Sequence, residues 1–293
     1  MSTVAELGHR NDGPAAVTAP PPVELRGGPG RISVAAVVEL WAFREVLWAF
    51  TVRFVKVKYK QAFVGIGWAI IQPVVAALVL AFVLGRLADV PSEGIPYLLF
   101  ALAGMVGWTY FSTAAGTAME SLVDDRELLR KVYFPRETLP LGAVAAGLVD
   151  LAPALLTLFV FAAVYGELPT LAWLALPLPL VLLVLSAAAL GLAFAGLNVY
   201  YRDVRYAMPY VLQLGLFLSP VLYPARLIDE PWRTVYEIAN PVAAALDGLR
   251  TIVARGEAPD WGVTFAALGW AVVLVLAGYA ILKRLERGFA DRA

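Results

Sequence analysis

The residue types that most often carry enzymatic or metal chemistry are nearly missing from this sequence. It contains no cysteine and a single histidine, His9, close to the N-terminus. Thiol catalysis, disulfides and metal sites built on Cys or His ligands are therefore excluded. None of the five lysines follows a glycine, so the phosphate-binding motif Gly-x-x-x-x-Gly-Lys-[Ser/Thr] does not occur. We expect no catalytic site, cofactor or metal on this chain. If its function requires ATP, another polypeptide must bind the nucleotide.

One charged segment, residues 124–135, has the pattern of a short helix. Asp124 is expected to cap it, with Glu127 three residues later, and Pro135 is expected to end it. Acidic residues come first and basic residues last, as the helix dipole favours. Such a helix between two apolar runs could dock into a partner or could be a solvated connection, and both interpretations stay open. The candidate docking residues are Asp124, Asp125, Glu127, Arg130, Lys131, Phe134 and Pro135.

Two further groups of residues are candidates for substrate contact. Asp150 is an acid within an apolar run, and acids inside a membrane usually face the protein interior or a water-filled path. A structural hydrogen bond is the alternative for Asp150. Aromatic rings can pack on the apolar faces of a substrate, although in membrane proteins they also face lipid or anchor at the interface. The candidate rings are Trp68, Phe82, Trp108, Tyr110, Phe111, Tyr210, Phe217 and Tyr223.

The composition around these residues is that of a membrane protein. Of the 293 residues, 60% are hydrophobic and 16% are charged, and the mean hydropathy is +0.74. Soluble domains contain roughly 25% charged residues, so a soluble enzyme is excluded. Basic and acidic residues are equal in number, 23 of each, which gives no support for a nucleic-acid partner.

Six apolar runs approach or exceed the roughly 20 residues that a bilayer-spanning helix needs. Pro73 interrupts the first run, and the fifth begins near Pro209 and ends at Ser219-Pro220. We therefore predict an all-α polytopic membrane protein with six transmembrane helices. The runs are 64–84, 97–117, 141–165, 173–199, 206–223 and 263–282.

Two segments precede these runs. Residues 1–32 are rich in Pro and Gly, show no periodicity and are predicted to be a disordered tail. Residues 33–61 repeat apolar residues at helical spacing, but their most apolar window contains charges that each cost about 2.5–3.5 kcal/mol to insert. We predict an amphipathic interfacial helix with Trp41 and Trp48 at headgroup depth. A solvated helix packed on the bundle is the alternative.

The basic residues are distributed unevenly between the connecting segments. Fifteen Lys and Arg residues would lie on the same side as the N-terminus, against five on the other side. The positive-inside rule therefore predicts that both termini are cytoplasmic. The transmembrane domain is then expected at 62–285, followed by a cytoplasmic tail at 286–293.

Several motifs, in order and spacing, resemble one family of transporters. The run Lys131-Val-Tyr-Phe-Pro-Arg-Glu137, followed by Leu139-Pro140, is similar to the signature of ABC-transporter permeases that export polysaccharides such as O-antigen and teichoic acid. The resemblance runs from about residue 35 to residue 290. The supporting matches are Gly65-Ile-Gly-Trp68 with Gln72-Pro73, Tyr201-Arg-Asp-Val204, Phe217 to Tyr223, Asn240-Pro241 and Leu249-Arg250.

This resemblance implies a homodimeric permease that works with two ATPase subunits in the plasma (inner) membrane of a bacterium. The implied substrate is a lipid-linked glycan of the cell envelope. The resemblance also implies that the N-terminal amphipathic segment is a gate helix, that residues 124–135 form a coupling helix to the ATPase, and that re-entrant helices lie within residues 225–261. A plain external amphipathic loop is the alternative for residues 225–261.

Other functions remain as alternatives. An ABC exporter of drugs or small hydrophobic molecules would share the fold. A membrane-embedded glycosyltransferase or flippase would need clustered acids at one membrane face. A stand-alone secondary transporter would favour paired intramembrane charges and an internal repeat, and the sequence has no clear repeat.

The path of a glycan can also be predicted. One protomer of six spans is too small to enclose a sugar chain, so we expect the path to lie between two protomers, lined by the first and fifth spans. Tyr210 and Phe217 are seven residues apart and would share a helix face. Trp68 would lie near the cytoplasmic entrance. The predicted channel contacts are Trp68, Phe82, Tyr210, Phe217 and Tyr223.

Overall fold

The computed structural model describes residues 38, 40–60, 63–92 and 94–286, except for the side chain of Arg130. The predicted tail at 1–32 lies outside the described residues, as does all of the predicted C-terminal tail except Glu286. All regular structure in the described ranges is helical. The predicted all-α polytopic class is therefore confirmed.

The helices follow one another with short connections. A 3₁₀ turn, Gly65–Gly67, leads into the helix Trp68–Leu80, and a π-helical segment, Ala81–Leu87, extends that helix. A second 3₁₀ segment, Leu171–Ala175, precedes the helix Pro177–Tyr200. The α-helices described in full are α1 (Arg44–Tyr59), α2 (Trp68–Leu80), α3 (Tyr97–Asp124), α4 (Arg126–Lys131), α5 (Thr138–Val164), α6 (Pro177–Tyr200), α7 (Asp203–Leu218), α8 (Trp232–Ala239), α9 (Pro241–Ala254) and α10 (Trp261–Glu286).

Five of the six predicted spans form helices long enough to cross a membrane, and one does not. The predicted fifth span, 206–223, is instead α7, a helix of 16 residues. At 1.5 Å per residue α7 is about 24 Å long, shorter than a bilayer core of about 30 Å. The count of six spans therefore stays a prediction. The segments long and apolar enough to cross a membrane are Gly65–Leu87, Tyr97–Asp124, Thr138–Val164, Leu171–Tyr200 and Trp261–Glu286.

The prolines affect the helices less than the sequence suggested. Helix α2 continues through Pro73 and α7 continues through Pro209, so the predicted interruption and start at these residues are wrong. A proline removes only one backbone donor, and neighbouring helices can compensate for that loss. The predicted end at Ser219-Pro220 is confirmed, because Ser219 has an extended backbone, as the residue before a proline prefers.

Helix α3 is the centre of the bundle. In its most apolar window 72% of the residues are buried, against 11% in the span that contains α2. Small residues allow neighbouring helices to approach α3 closely: Gly107 lies beneath Leu246 of α9, and Gly191 of α6 faces Ala118. Helices α2, α5, α6 and α9 all pack against α3, whereas α7 makes only a small contact with it.

Helix α1 packs along the first half of α5. Phe50 and Thr51 are buried in this contact, and Gly142 of α5 leaves the space for it. Trp41 and Trp48 on the remaining surface are exposed, as expected of rings at headgroup depth. The interfacial position of α1 itself stays a prediction.

The two ends of the bundle are chemically different. At one end, which we call the basic end, α4 lies beside α1, and ion pairs join Arg205 to Glu120 (3.3 Å) and Lys283 to Glu137 (2.8 Å). At the opposite end, the hairpin end, α8 and α9 form a helical hairpin (residues 232–254). Every residue of α9 except Asp247 is buried, and α9 packs on α3 and α6. The hairpin lies within residues 225–261, the segment for which re-entrant helices were predicted.

Candidate functional site

A polar cavity of about 350 Å³ lies where α1, α2, α3 and α5 meet. Its wall contains three predicted site residues: Trp68 of α2, Tyr110 of α3 and Asp150 of α5. Trp68 and Asp150 are far apart in the chain. Sequence analysis did not foresee that these two residues share one site, because their proximity depends on how α2 and α5 pack. The polar side chains that line the cavity are Lys58, Tyr59, Gln72, Thr109, Thr113 and Asp150.

Asp150 is held by two residues at the end of α1. Lys58 Nζ lies 2.5 Å from one carboxylate oxygen, and the Tyr59 hydroxyl donates to the other. Burial and the neighbouring carboxylate raise the pKa of Tyr59, so the phenol keeps its proton and remains a donor. Asp150, for which sequence analysis identified no partner, therefore has two partners in the structure, and its side chain faces the protein interior.

The position of the Asp150–Lys58 ion pair across the membrane can be inferred from the residues of the first span that lie beside it. Gly65 and Trp68 line the same cavity as Asp150, so Asp150 lies level with one end of the span and not with its middle. The part of α5 before Asp150 extends beyond this level, alongside α1. Charges near the end of a span cost less than charges at the bilayer centre.

The cavity has the chemistry of a binding site for a polar, hydroxylated group. Hydroxyls of Thr109 and Thr113, the Gln72 amide and the Lys58 cation supply hydrogen-bonding groups, and the Trp68 ring supplies an apolar surface. In the described part of the chain, no three His, Cys, Asp or Glu residues are close enough to hold a metal ion.

The short helix α4 begins differently from the prediction. Asp125 is its N-cap residue, and no side chain caps the helix. Asp124 is the last residue of α3 and pairs with Arg205 (3.6 Å), while Asp125 pairs with Arg53 of α1. The predicted cap by Asp124 is therefore wrong, because cations from neighbouring helices engage both acids. The helix also covers six residues and not the whole segment 124–135.

The predicted docking residues divide into buried anchors and an exposed surface. Phe134 and Pro135 are buried, with the Phe134 ring packed against α1. Glu127 and Lys131 pair with each other at 3.3 Å, and their side chains are 89% and 72% exposed. Arg130 belongs to the same helix, but its side chain lies outside the described residues. Among the described side chains of α4, Glu127 and Lys131 therefore form a surface that a partner can reach.

Most of the predicted channel rings lie on exposed surfaces of α2, of its π-helical extension Ala81–Leu87 and of α7. Trp68, Phe82, Tyr210 and Phe217 are each at least half exposed. Tyr223 is partly buried, and its hydroxyl donates to the Phe217 carbonyl (3.1 Å). Along α7 only one residue, a methionine, is buried, so the aromatic stripe has no partner within the described protomer.

The rings of α3 have a different environment. Trp108, Tyr110 and Phe111 are buried in the core, although Tyr110 also borders the polar cavity. Their burial identifies them mainly as packing residues, in contrast to the candidate rings of α2 and α7. The exposed aromatic surface therefore belongs to two peripheral helices that both contact α3.

Sequence analysis did not identify two sets of functionally placed residues. Lys58 was counted only among the basic residues on the side of the N-terminus, and Tyr59 was not singled out. Their pairing with Asp150 required the structure. Arg250 was noted only in the motif Leu249-Arg250 and in the count of basic residues, without a structural role, whereas it is 1% exposed within α9. An arginine surrounded by apolar residues in a helix was the available signal, because such a charge needs hydrogen-bond partners.

Comparison with known proteins places this architecture in a family. The sequence profile of the ABC-2 type transporters matches residues 45–254, from α1 to the end of α9. The chain belongs to the ABC-2 type transporter family. Among its relatives, the O-antigen export system permease protein RfbA of Myxococcus xanthus is 30% identical to this permease over 263 residues, which cover 88% of this chain and 99% of the relative.

Two other relatives are more distant. The O-antigen export system permease protein RfbA of Klebsiella pneumoniae is 25% identical over 250 residues, covering 84% of this permease and 94% of the relative. The polysialic acid transport protein KpsM of Escherichia coli is 22% identical over 250 residues, covering 81% and 92%. These comparisons confirm that the chain is a transporter membrane subunit and not an enzyme. Permeases of this kind work with ATPase subunits.

Proposed function

We propose that this permease is the membrane subunit of an ATP-driven exporter of lipid-linked cell-envelope polysaccharide, such as O-antigen or teichoic acid, across the bacterial inner membrane. The names of its relatives support a polysaccharide as the substrate class. The observation that carries the proposal is the exposed aromatic surface of α2 and α7, which suits a long glycan better than a small hydrophobic molecule. Rings in succession can pack on the C–H faces of successive sugars without selecting one sugar.

Two copies of the chain would enclose the path. The core of one protomer is filled by α3, while α2 and α7 leave most of their surfaces uncovered. Pairing α2 of one copy with α7 of its partner would cover both surfaces and place rings from both protomers along one conduit. The homodimer is therefore part of the proposal.

The polar cavity at the basic end would be the entrance. It lies at the start of α2, and Trp68 borders it while half of that side chain remains exposed. A lipid-linked glycan arriving from the cytoplasmic leaflet would first meet the hydroxyl, amide and charged groups of the cavity. The lipid part could stay beside α1, whose exposed tryptophans suit the membrane interface.

ATP and magnesium would bind to separate ATPase subunits, and α4 would receive their movement. Its exposed pair, Glu127 and Lys131, offers a charged docking surface. The ion pair of Asp125 with Arg53 and the contact of Phe134 with Phe50 connect α4 to α1. A displacement of α4 would therefore reach the gate helix directly. The purified permease alone should hydrolyse no ATP, and vanadate-sensitive turnover by the clean single chain would refute this assignment.

The basic end would face the cytoplasm, with both termini on that side. Because the chain lacks cysteine, single cysteines can report this orientation. Asp229→Cys at the hairpin end should react with an impermeant maleimide in intact cells, whereas Glu127→Cys should react only after lysis. Both positions are exposed in the structure. Labelling of Glu127→Cys in intact cells would reverse the orientation.

The decisive experiment concerns the rings. Glycan export, normalised to folded complex, should fall for Trp68→Ala, Tyr210→Ala and Phe217→Ala, and each single change should slow export without abolishing it because each ring contact is weak. Phe265→Ala on α10 is the matched control, since its ring is equally exposed but lies on neither proposed channel helix. An unchanged ratio for all three variants would mean that these rings face lipid and that the glycan passes elsewhere.

A further inference from the structure

Helix α7 ends abruptly at the hairpin end. Its last residue is Leu218, and Ser219, Pro220 and Val221 continue as a buried, non-helical segment. The last carbonyl groups of a helix have no intrahelical partners and need other donors. We call residues 217–222 the α7 terminus. Hydrogen-bond donors for this segment come from α3, from both helices of the hairpin and from Tyr223.

Arg250 of α9 makes the largest contribution. Its Nε donates to the carbonyl of Phe100 in α3 (3.2 Å), Nη2 donates to the carbonyl of Val221 (2.8 Å), and Nη1 donates to that of Pro220. The guanidinium carbon also lies 3.7 Å from the centre of the Phe100 ring. Because a guanidinium presents five donors in a rigid plane, one side chain joins three parts of the molecule.

Other side chains complete the contact. Tyr236 of α8 donates to the Leu218 carbonyl (2.5 Å), and Tyr97 of α3 donates to the Leu222 carbonyl (2.8 Å). The amide of Asn240, between α8 and α9, donates to the Ser219 hydroxyl (3.1 Å). Separating the hairpin from the α7 terminus would break the contacts of Tyr236 and Asn240. It would also leave the buried Pro220 and Val221 carbonyls without their Arg250 donor, which is costly in a buried site.

The rest of α7 is held much more loosely. Met208 is its only buried residue, and Gly215 lies against the Trp108 ring of α3. At the basic end Arg205 pairs with Glu120 and Asp124 through partly exposed side chains. Helix α7 is therefore held firmly at the hairpin end and weakly along its remaining length.

From these contacts we infer that the helical hairpin and the α7 terminus move as one rigid body, and that Arg250 is the residue that positions this end of α7. The inference rests on the proposed function, in which α7 lines the conduit. Opening would then displace α7 and the hairpin together relative to the partner protomer. The hairpin would not separate from α7 when the end of the conduit beside it opens.

The absence of native cysteine allows a direct test. The contact between Ser219 and Asn240 identifies a pair, Ser219→Cys with Asn240→Cys, that can be joined by oxidation in the complete complex with its ATPase. If the two elements move together, export per folded complex should be equal before and after oxidation. Each single-cysteine variant, treated in the same way, is the control. A block of export by oxidation that a reductant reverses would overturn the inference.

A second measurement does not depend on disulfide formation or on export. Val221 is fully buried beside Arg250, so a Val221→Cys variant should react slowly with a water-soluble maleimide, with or without ATP turnover. Adding Arg250→Lys should raise the labelling rate by roughly tenfold, because a lysine ammonium cannot replace the planar guanidinium that donates to three carbonyls at once. Tyr236→Phe, which removes one hydroxyl, should give a smaller increase.

Two results of the labelling experiment would contradict the inference. Faster labelling during ATP turnover, with Arg250 intact, would show that the hairpin separates from α7. Unchanged labelling with Arg250→Lys would show that Arg250 does not position the segment. Because labelling requires no glycan, a failure here is distinct from a failure of the aromatic-ring experiment.

Discussion

The basic end and the hairpin end both use charged side chains to join separate helices, but the partners differ. At the basic end Arg53, Arg205 and Lys283 pair with carboxylates of neighbouring helices. The side chains of Arg53 and Arg205 are almost half exposed. At the hairpin end the buried cation that joins separate elements is Arg250, and its hydrogen bonds all go to backbone carbonyls.

Access to water explains what this difference means for function. An exposed ion pair contributes about 0–1 kcal/mol, so its partners can be exchanged at little cost when another subunit docks. A buried carbonyl that loses its donor costs about 1–3 kcal/mol, so contacts of that kind resist rearrangement. If the basic end docks the ATPase, as proposed, it is suited to changing contacts there, whereas the hairpin end is suited to keeping its geometry.

The largest expected effect is a difference in stability loss between substitutions of Arg250 and Arg205. Arg250→Met should destabilise the purified permease by about 3 kcal/mol or more, because several buried carbonyls lose their donor together. Arg205→Met, the matched change at the basic end, should cost less than about 1 kcal/mol because its ion pairs are exposed. Thermal unfolding in detergent measures both. Similar losses for the two variants would remove the distinction between the ends.

The next prediction concerns the ion pair of Lys283 at the basic end, which is less exposed than the pairs of Arg53 and Arg205. Lys283 pairs with Glu137, whose side chain is almost fully buried. Lys283→Met should cost about 2 kcal/mol, less than for a fully buried pair because Lys283 is partly exposed. Adding Glu137→Gln should recover much of this loss, since no uncompensated buried carboxylate remains. A double variant no more stable than the single one would show that the pair contributes little.

The cavity pair should affect transport more than stability. Asp150→Asn removes one charge of a partly exposed pair, so the stability change should stay below about 1 kcal/mol, while export per folded complex falls. Tyr59→Phe keeps the ion pair with Lys58 and should have a weaker effect on export. If Asp150 is only structural, export per folded complex will stay constant and the loss will appear in the yield of folded protein.

The smallest effect on stability is expected at α4. Glu127→Ala combined with Lys131→Ala removes an exposed pair and should leave the unfolding temperature unchanged. Recovery of the ATPase with the permease, or the coupling of ATP hydrolysis to export, should decrease. Glu230→Ala, an exposed acid at the hairpin end, is the control and should change neither. Unaltered recovery and coupling in the double variant would make α4 a simple connection.

Much of the fold could be predicted because the signals are local. The apolar runs, the charged segment at 124–135 and the end of α7 at Ser219-Pro220 all correspond to features of the structure. The motifs also identified the transporter family that the comparisons confirm. The cap of α4 could not be predicted, because Asp124 and Asp125 pair with cations from distant parts of the chain.

Burial could not be predicted from hydropathy. The span containing α2 has a mean hydropathy of 2.3 but is mostly exposed in the protomer, whereas α3, at 1.4, is mostly buried. Lipid chains are as apolar as a leucine-rich core, so hydrophobicity does not choose between lipid and protein as a neighbour. Helix α3 is central because small residues such as Gly107 and Ala118 allow close packing. That property matters only once the facing helix is known.

The amino-acid order alone was therefore sufficient to assign the membrane environment, the succession of helices and the transporter family. These assignments depend on the cost of moving each side chain from water to lipid, and on motifs that are contiguous in the chain. The partners of Asp150 and Arg250, and the uncovered aromatic surface of α2 and α7, emerged only from the packed structure. They depend on contacts between residues that are up to 150 positions apart, and no local pattern encodes which helices meet.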